Sequence, residues 1–469
     1  MNSIPQKYKL LLEKIIKFNI SNNLKLNTFD DYTSLMTSLS IKLSELIRNS
    51  LVEYFEAIDN EFEKSIYRKK NYYYKGKQLR TLITIFGEIQ FYRNYYYSKN
   101  GEKESGFYYV DRLLELPRYV NYDPIIRSML MHEKASSTYS KAAKVVMEKI
   151  SEYSGQDIHI SRQLVYYVFK NFDIDVPPQE TTPIDSDILY IILDEKYVHT
   201  QGNKSDKDDK SKAQMVKHAV LYTGKEKEYN GRFKLVNKAV FSSLDETSSL
   251  ILDLENYVDK TFKIDNIKNV VIAGDGASWI KHFNQFFTLV NQAPKLFVLD
   301  YFHVGQAVTR ITTDKVEREL LRNYVDNGRY RTFKKLCQTL IEKYPERKDK
   351  IIANRDYLLN NWTSIRNIKN KLFIGCPMES QISHNLAKVF ARDPKGYKVH
   401  NLSKHIKLRD LQLNGYDIKN IYLYSSGYLP HDEYLGSPER LITSSIPALD
   451  NEHAIAYKEM IHIPNILKL

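Results

Sequence analysis

The chain has 469 residues, more than one ordinary domain holds, and a prior of roughly 100 to 200 residues per domain predicts two to four domains. Hydrophobic residues make up 42% and charged residues 27%, with 17 Gly and 14 Pro, which excludes a disordered or collagen-like protein. Lys and Arg outnumber Asp and Glu by 69 to 57, and the net charge of +12 favours a polyanionic partner, most simply nucleic acid. A lysine-rich composition is the alternative reason for this charge.

Several classes of protein are not expected from the sequence. No apolar stretch approaches the roughly 18 residues that a membrane-spanning helix needs, and the first residues lack the apolar core of a signal peptide. We therefore expect a cytoplasmic protein without a membrane partner. The two cysteines, Cys337 and Cys376, have no partner at metal-ligand spacing, so neither a disulfide framework nor a structural zinc site is expected.

Residues 1–66 predict a helical N-terminal region, because apolar side chains recur at three- and four-residue spacing. We interpret it as a scaffold or dimerisation layer. Basic residues then alternate with tyrosines over residues 67–80, a composition that can hold a phosphate backbone, and Lys69 and Lys70 are its candidate DNA contacts. A solvated charged strand is the alternative. Residues 81–97, rich in β-branched and aromatic side chains, predict a β-hairpin.

A helix-turn-helix completes the predicted DNA-binding region of residues 67–172. An amphipathic segment is followed by a turn and then by a second helix that starts after a capping serine. This second helix would expose Arg162, Gln163 and Tyr166, at the end that meets base edges in DNA-binding units of this kind. Two helices joined by a turn also occur in other helical domains. The proline-containing, acidic residues 173–187 predict a linker.

Residues 188–301 predict the first part of an α/β core. Five strands and two helices are indicated, the strands at residues 188–194, 213–222, 231–241, 269–274 and 296–299 and the helices at residues 245–262 and 278–289. Short connections imply antiparallel pairing and helical crossovers imply parallel pairing. We therefore predict an α+β or α/β fold with a mixed five-stranded sheet, in the order of a ribonuclease H-like fold.

The remaining chain predicts three further segments. Residues 302–370 are strongly helical and basic, and we interpret them as an all-helical insertion. Residues 371–400 predict a core helix that carries Glu379. Residues 401–469 form a C-terminal region of mixed character, for which the sequence predicts no specific role.

Three carboxylates on separate elements are the candidate catalytic residues and metal ligands: Asp194, Asp275 and Glu379. Oxygen ligands of this kind suit divalent cations, and in a ribonuclease H-like site they hold two Mg²⁺ ions, for which Mn²⁺ can substitute. Glu195 is an alternative to Asp194, since successive strand residues point to opposite faces and only one is expected to face the site. Asp300 is an alternative third ligand, or else the N-cap of the following helix.

Two histidines and a tryptophan are secondary candidates. His303 and His384 are placed to contact phosphate or to orient the site, and a purely structural role is the alternative. Trp279 is expected to pack in the core beneath the site, with stacking on a base as the alternative.

Four sequence blocks resemble those of the ISLre-type bacterial insertion-sequence transposases: LDEKYVHTQG, GDGASWIK, LDYFHV and GCPMESQISHNLAKVFARDPKGY. The similarity extends from about residue 81 to residue 398. That family is regarded as DDE transposases related to the Mutator-type group. The resemblance implies that Asp194, Asp275 and Glu379 are the first, second and third acidic residues.

The resemblance also implies a function. It is that of an insertion-sequence transposase, which binds double-stranded DNA at terminal inverted repeats and joins freed ends to target DNA. A bacterial protein of this class works at the nucleoid, as a homo-oligomer that brings two DNA ends together. Two alternatives stay open: a domesticated or decayed DNA-binding protein without catalysis, and a structure-selective ribonuclease H-like nuclease.

Overall fold

The computed structural model describes residues 28–99, 106–116, 119–177, 182–201, 213–228, 231–290, 293–391 and 396–429. The described residues form two compact units. One takes in those of 1–134, 139–179 and 419–469, and the other those of 135–138 and 180–418. Parts of several predicted segments lie outside the described residues, namely 1–27, 100–105, 117–118, 178–181, 202–212, 229–230, 291–292, 392–395 and 430–469.

The first unit begins with a long helix followed by a β-hairpin. Its helices and strands are α1 Phe29–Lys64, α2 Ile66–Asn71, β1 Tyr72–Thr84, β2 Gly87–Ser98, β3 Phe107–Tyr108, α3 Tyr109–Leu113, α4 Pro124–Ala135, α5 Tyr139–Ser154 and α6 Arg162–Asn171. β1 pairs with β2 in antiparallel register, which confirms the predicted hairpin, and β3 adds to the edge of β2. One core joins α1, the hairpin and α3 through residues such as Phe55, Phe91 and Val110.

The helices α5 and α6 confirm the predicted helix, turn and helix. The Ser161 hydroxyl caps α6 by accepting a hydrogen bond from the Leu164 amide at 3.2 Å. Arg162 and Gln163 in the first turn are exposed, whereas Tyr166 is half-buried and meets the ring of Tyr139 edge-on at 5.7 Å. DNA binding by these residues stays a prediction.

The second unit is built on a five-stranded sheet. Its first elements are the strands β4 Ile188–His199, β5 Ala213–Tyr222, β6 Gly224–Lys227, β7 Phe233–Val236 and β8 Ala239–Ser243, the helix α7 Thr247–Thr261, the strand β9 Asn269–Gly274, the helix α8 Ser278–Phe286 and the strand β10 Lys295–Leu299. The strand order is β10-β9-β4-β5-β8. β4, β5 and β8 pair in antiparallel register, and β4, β9 and β10 pair in parallel, which confirms the predicted mixed sheet.

One predicted strand is two strands in the structure. Residues 231–241 were expected to be continuous, but Asn237 has a φ of +50° and interrupts the extended backbone. The Asn237 side chain donates a hydrogen bond to the Thr223 hydroxyl at 2.9 Å, which fixes the turn. β7 therefore leaves the sheet and pairs with β6 in a separate ribbon, and β8 alone joins β5.

The remaining helices are α9 Tyr301–Ile311, α10 Lys315–Asp326, α11 Tyr330–Lys343, α12 Lys348–Asn360, α13 Trp362–Arg366, α14 Met378–Ile382, α15 Val399–Leu413 and α16 Ile418–Ser425. Short 3₁₀ segments lie at Ile264–Asn266, Pro345–Arg347 and Asn367–Lys369, and a π-helix at Ser383–Ala391 continues α14. The helices α9 to α13 have a core of their own, which includes Leu321, Phe333 and Leu358. The predicted helical insertion is thus a folded layer.

Helices cover both faces of the sheet. Alternate residues of β4 such as Leu189 and Ile191 pack with α7 and α8, and the residues between them, such as Tyr190 and Ile192, pack with α14, its π-helical continuation and α15. In the described part of the chain, no helix combines the length and the apolar character that crossing a membrane requires.

Candidate metal centre

Asp194 lies inside the strand β4. The parallel neighbour β9 pairs with β4 only as far as Ile192, whereas the antiparallel neighbour β5 pairs with it through His199. The prediction that the strand ends at Asp194 is therefore wrong, because the antiparallel ladder keeps the backbone extended after the parallel ladder stops. Asp194 is placed just beyond the carboxyl end of β9, where other side chains have room to approach it.

Two overlapping groups of side chains form the candidate metal centre. In one group, ligand atoms of Asp194, His303 and Glu379 all lie within 4.8 Å of one another. In the other, the carboxylate oxygens of Asp194, Glu195 and Asp275 do so. The structure thus brings all three predicted acidic residues to one place. Asp275 and Glu379 each meet Asp194, although the described residues hold no group that contains both of them.

Burial and crowding of like charges define the electrostatics of the centre. Desolvation raises the pKa of Asp194 to about 7, and the negative charges of Asp275 and Glu195 act in the same direction. A hydrogen bond from the Glu195 amide at 2.8 Å and the nearby His303 partly oppose this rise. Burial also raises the pKa of Glu195. A centre of this composition favours an added positive charge.

Glu195 reaches the centre from the other face of the strand. It shares that face with Leu193 and with the core around Trp279, whose indole N–H donates to its Oε2 at 2.6 Å. The expectation that only one of Asp194 and Glu195 faces the site is wrong, because the longer glutamate side chain reaches past the end of the parallel ladder. Trp279 is 7% exposed and packs under the site, as predicted.

The loop that carries Asp275 is held by close backbone packing and by hydrogen bonds. A Cβ on Gly274 would lie 2.8 Å from the Leu193 carbonyl oxygen, so only glycine lets β9 approach β4 here. Gly276 has a φ of +79°. The Ala277 amide donates to the Asp275 carboxylate at 2.8 Å, and the Tyr357 hydroxyl donates to the Asp275 carbonyl at 2.6 Å. The carboxylate is therefore fixed before any ligand binds.

Glu379 and His303 come from two different helices. Glu379 is in the first turn of α14 and is exposed, while buried Met378 beside it anchors the helix to the sheet. His303 is in the first turn of α9 and is half-buried. The insertion thus contributes a side chain to the centre as well as separating β10 from α14.

Two other predicted candidates lie outside both groups. Asp300 is 6% exposed and caps α9 by accepting a hydrogen bond from the Phe302 amide at 3.2 Å, which is the alternative role that the sequence suggested. Its carboxylate also accepts a hydrogen bond from the Cys376 thiol, and burial raises the pKa of Asp300. His384 is exposed and belongs to neither group found among the described residues.

Sequence reasoning missed a buried network behind the centre. His218 faces Asp194 across the β4–β5 ladder and is fully buried. One ring nitrogen lies 2.8 Å from the Ser242 hydroxyl and the other 3.1 Å from the Asn385 amide. The only signal in the sequence was a histidine within an apolar strand, which does not reveal its partners.

The family of the chain follows from a comparison of sequences. A model of the uncharacterised protein family UPF0236 matches residues 26–425. The chain belongs to the UPF0236 family. Two curated UPF0236 proteins of Caldanaerobacter subterraneus subsp. tengcongensis are similar to it. One is 27% identical over 429 residues, with 88% of this chain and 86% of the relative covered, and the other is 26% identical over 402 residues, with 84% and 81% covered.

The names of these two UPF0236 proteins join eleven and four gene designations, so each name stands for several genes of one genome. Among solved structures, the Drosophila P element transposase strand transfer complex has a TM-score of 0.25 and 12% identity, with 71% of this chain and 84% of that chain covered. A score this low carries no argument about the fold.

Proposed function

We propose that this protein is the DNA transposase of a mobile element and that it cleaves and joins DNA strands with divalent metal ions. The observation that carries the proposal is that Asp275, from the end of β9, and Glu379, from α14, each have a carboxylate oxygen within 4.8 Å of one of Asp194 on β4. Carboxylates from elements so far apart in sequence have no common structural task that would gather them at one partly exposed place.

The strand order supports the finer fold assignment within this proposal. An antiparallel β8-β5-β4 half is continued by a parallel β4-β9-β10 half, with helices on both faces. We infer a ribonuclease H-like sheet from this order, because in such a sheet the first strand lies in the middle. Asp194 is on that middle strand and Asp275 follows its parallel neighbour.

The donor set fits hard divalent cations. Carboxylate oxygens are the ligands that Mg²⁺ and Mn²⁺ prefer, and an imidazole nitrogen is compatible with Mn²⁺. We assign Asp194, Asp275 and Glu379 as the residues that would hold two such ions, and Asp194 belongs to both groups of ligand atoms. His303 is a further donor beside Glu379.

When bound, two such ions supply activation of the attacking oxygen and stabilisation of the leaving oxygen in a phosphoryl transfer. The chain's own groups hold the ligands in position. The Glu195 and Ala277 amides fix the carboxylates of Asp194 and Asp275, and the Trp279 indole restrains Glu195 and closes the side of the centre that faces the core.

The proposed reaction has two steps. In the first, water attacks a phosphodiester at the element's end, and the bond from phosphorus to the 3′ oxygen breaks to leave a 3′ hydroxyl and a 5′ phosphate. In the second, that 3′ hydroxyl attacks a target phosphodiester and releases a target 3′ hydroxyl. The number of phosphodiester bonds is unchanged in the second step, so it needs no energy source.

The gene copies of the relatives support a mobile element. A transposase gene is copied along with its element, and one relative's name joins eleven gene designations of a single genome. Partners follow from the reaction: double-stranded DNA at the element's ends and at the target, and a second protomer that brings the two ends together. The chain's net charge of +12 suits binding to DNA, which is negatively charged.

The decisive experiment measures nicking of labelled duplexes that carry the sequences flanking the protein's own gene, with Mg²⁺ or Mn²⁺. We expect metal-dependent nicking by the unmodified chain and none by Asp275→Asn. Asp259→Asn, the same change at an exposed position of α7, is the matched control and should nick normally. DNA binding without cutting by the unmodified chain would instead indicate a repurposed DNA-binding protein.

A further inference from the structure

A groove on the insertion begins beside the metal centre. It has a volume of about 580 Å³ and is lined by residues of α9 together with Arg322 of α10. Phe302, Gln306 and Thr309 line it from successive turns of α9, so it extends for about 10 Å along this helix. The Phe302 ring lies 5.4 Å, centre to centre, from the ring of His303, and a ring nitrogen of His303 lies within 4.8 Å of carboxylate oxygens of Asp194 and Glu379. One end of the groove is therefore next to the acidic residues.

The lining combines exposed rings with positive charges. Phe302 is 47% exposed and Tyr301 is 43% exposed, although both are large side chains that folding normally buries. Arg310 and Arg322 supply guanidinium groups. A Cβ on Gly305 would meet only the Arg322 guanidinium, at 4.0 Å, among the described atoms, so the floor of the groove is open.

Charge selects the class of ligand. No carboxylate lines the groove in the described part of the chain, and the nearby Asp326 already accepts a hydrogen bond from the Tyr301 hydroxyl at 2.8 Å. An anion next to an aromatic surface is therefore the complementary ligand. Nucleic acid offers both parts at once, because its phosphates pair with arginine and its bases stack on exposed rings.

We propose that this groove holds an unpaired segment of DNA next to the metal centre, with phosphates on Arg310 and Arg322 and a base on Phe302. The inference rests on the proposed function, since the strand would belong to the DNA that is cut. Unpaired DNA is specified because a base in a duplex has its faces covered by its neighbours, whereas an unpaired base offers a face for stacking.

The test measures binding of the full chain to a fluorescent single strand of about 12 nucleotides and to the matching duplex, in EDTA so that nothing is cleaved. We expect Phe302→Ala and Arg322→Ala each to weaken single-strand binding at least about fivefold and to change duplex binding less than twofold. Leu320→Ala and Arg331→Ala alter exposed residues of the insertion that do not line the groove, and should leave both affinities unchanged.

Two outcomes would overturn the groove assignment. In one, Phe302→Ala weakens single-strand binding no more than Leu320→Ala does. In the other, the groove variants weaken duplex and single-strand binding equally. Neither depends on catalysis, because the assay contains no metal. Failure of the proposed function would be seen separately in the nicking assay, either as no nicking by the unmodified chain or as nicking that Asp275→Asn leaves unchanged.

Discussion

The buried ring of His218 accepts a hydrogen bond from Asn385, with 3.1 Å between Nε2 and the amide nitrogen. Burial lowers the pKa of His218 to about 3, so the ring is neutral, and the amide can only donate. Nδ1 therefore carries the proton and donates to Ser242, whose hydroxyl donates to Asp410 at 2.9 Å. This chain of hydrogen bonds joins the sheet to the helix that continues from Glu379.

Asn385→Ala should reduce both stability and metal affinity. The buried Nε2 of His218 would lose its donor, which costs about 1 to 3 kcal/mol in free energy of unfolding. The helix that carries Glu379 would lose a fixed point, and we expect Mn²⁺ affinity to fall about 10-fold or more. Urea unfolding and calorimetric Mn²⁺ titration measure the two effects. Asn354→Ala, which removes a solvent-exposed hydrogen bond to the Lys350 carbonyl within α12, is the control. Unchanged metal affinity would contradict the positioning role.

Asp194→Asn and Glu195→Gln should differ strongly in nicking. Asp194 belongs to both groups of ligand atoms, so its loss should abolish detectable nicking. Glu195 is restrained by the Trp279 indole, and glutamine keeps an oxygen that can accept this hydrogen bond, so we expect a loss of only about 10-fold. Initial rates of nicking under identical metal conditions compare the two. Equal losses of nicking rate would show that Glu195 is as important to the metal centre as Asp194.

Divalent metal should raise the melting temperature of the unmodified chain. A ligand at about 100 times its dissociation constant stabilises the folded state by about 2.7 kcal/mol. Glu379→Gln should lose most of this gain while keeping the melting temperature measured in EDTA, because Glu379 is exposed and its removal leaves no cavity. Thermal scans with Mn²⁺, Mg²⁺ and EDTA make the comparison. A gain that persists in Glu379→Gln would place the ions elsewhere.

Gly276→Ala should destabilise the chain more than Gly415→Ala. Both glycines have positive φ, +79° and +82°, so the backbone strain of about 1 to 2 kcal/mol is common to both variants. A Cβ at Gly276 would lie 2.9 Å from the Asn361 amide oxygen, whereas none of the described atoms lies within 4 Å of one at Gly415. We expect a further loss of about 1 to 3 kcal/mol for Gly276→Ala in urea unfolding. Equal losses of free energy of unfolding would mean that the loop around Gly276 can shift to accommodate the added Cβ.

The two predicted DNA-contacting sites of the first unit, the lysine pair of α2 and the first turn of α6, should affect DNA binding in different ways. Lys69 and Lys70 are exposed on α2, and replacing both with alanine should weaken all duplexes alike and reduce the salt dependence of binding. Arg162→Ala should instead reduce the preference for the element's own ends, because α6 would meet base edges. Binding titrations at several salt concentrations separate the two. A loss of preference in the lysine variant alone would reverse these roles.

The closeness of Asp194 and Asp275 was predictable because each follows buried residues of a strand. The apolar runs before Asp194 and Asp275 indicate strands of one parallel pair, whose carboxyl ends must lie together. The mixed pairing of the sheet followed from its connections, since short connections favour antiparallel pairing and helical crossovers favour parallel pairing. Glu379 follows no strand: the sequence placed it on a core helix, and a helix alone does not indicate where it meets the sheet.

The remaining features depend on partners that are distant in sequence. The extension of β4 to His199 requires the ladder with β5, and the break at Asn237 requires the Thr223 hydroxyl. The approach of His303 to Asp194 depends on how α9 packs within the insertion. Local patterns carry no information about such contacts, which is why His303 could not be distinguished from a structural histidine.

The helix α9 contributes both to the core of the insertion and to the candidate metal centre. Val304, Val308 and Ile311 are buried in the core of the insertion, while His303 reaches the acidic residues. A shift of one residue along the helix turns a side chain by about 100°, so an insertion or deletion that moved the buried face would also carry His303 away from Asp194. The insertion therefore cannot diverge freely over evolution: its core is inherited together with the chemistry it borders, and sequence drift should be concentrated at the exposed positions of α10 to α12, outside the core shared with α9.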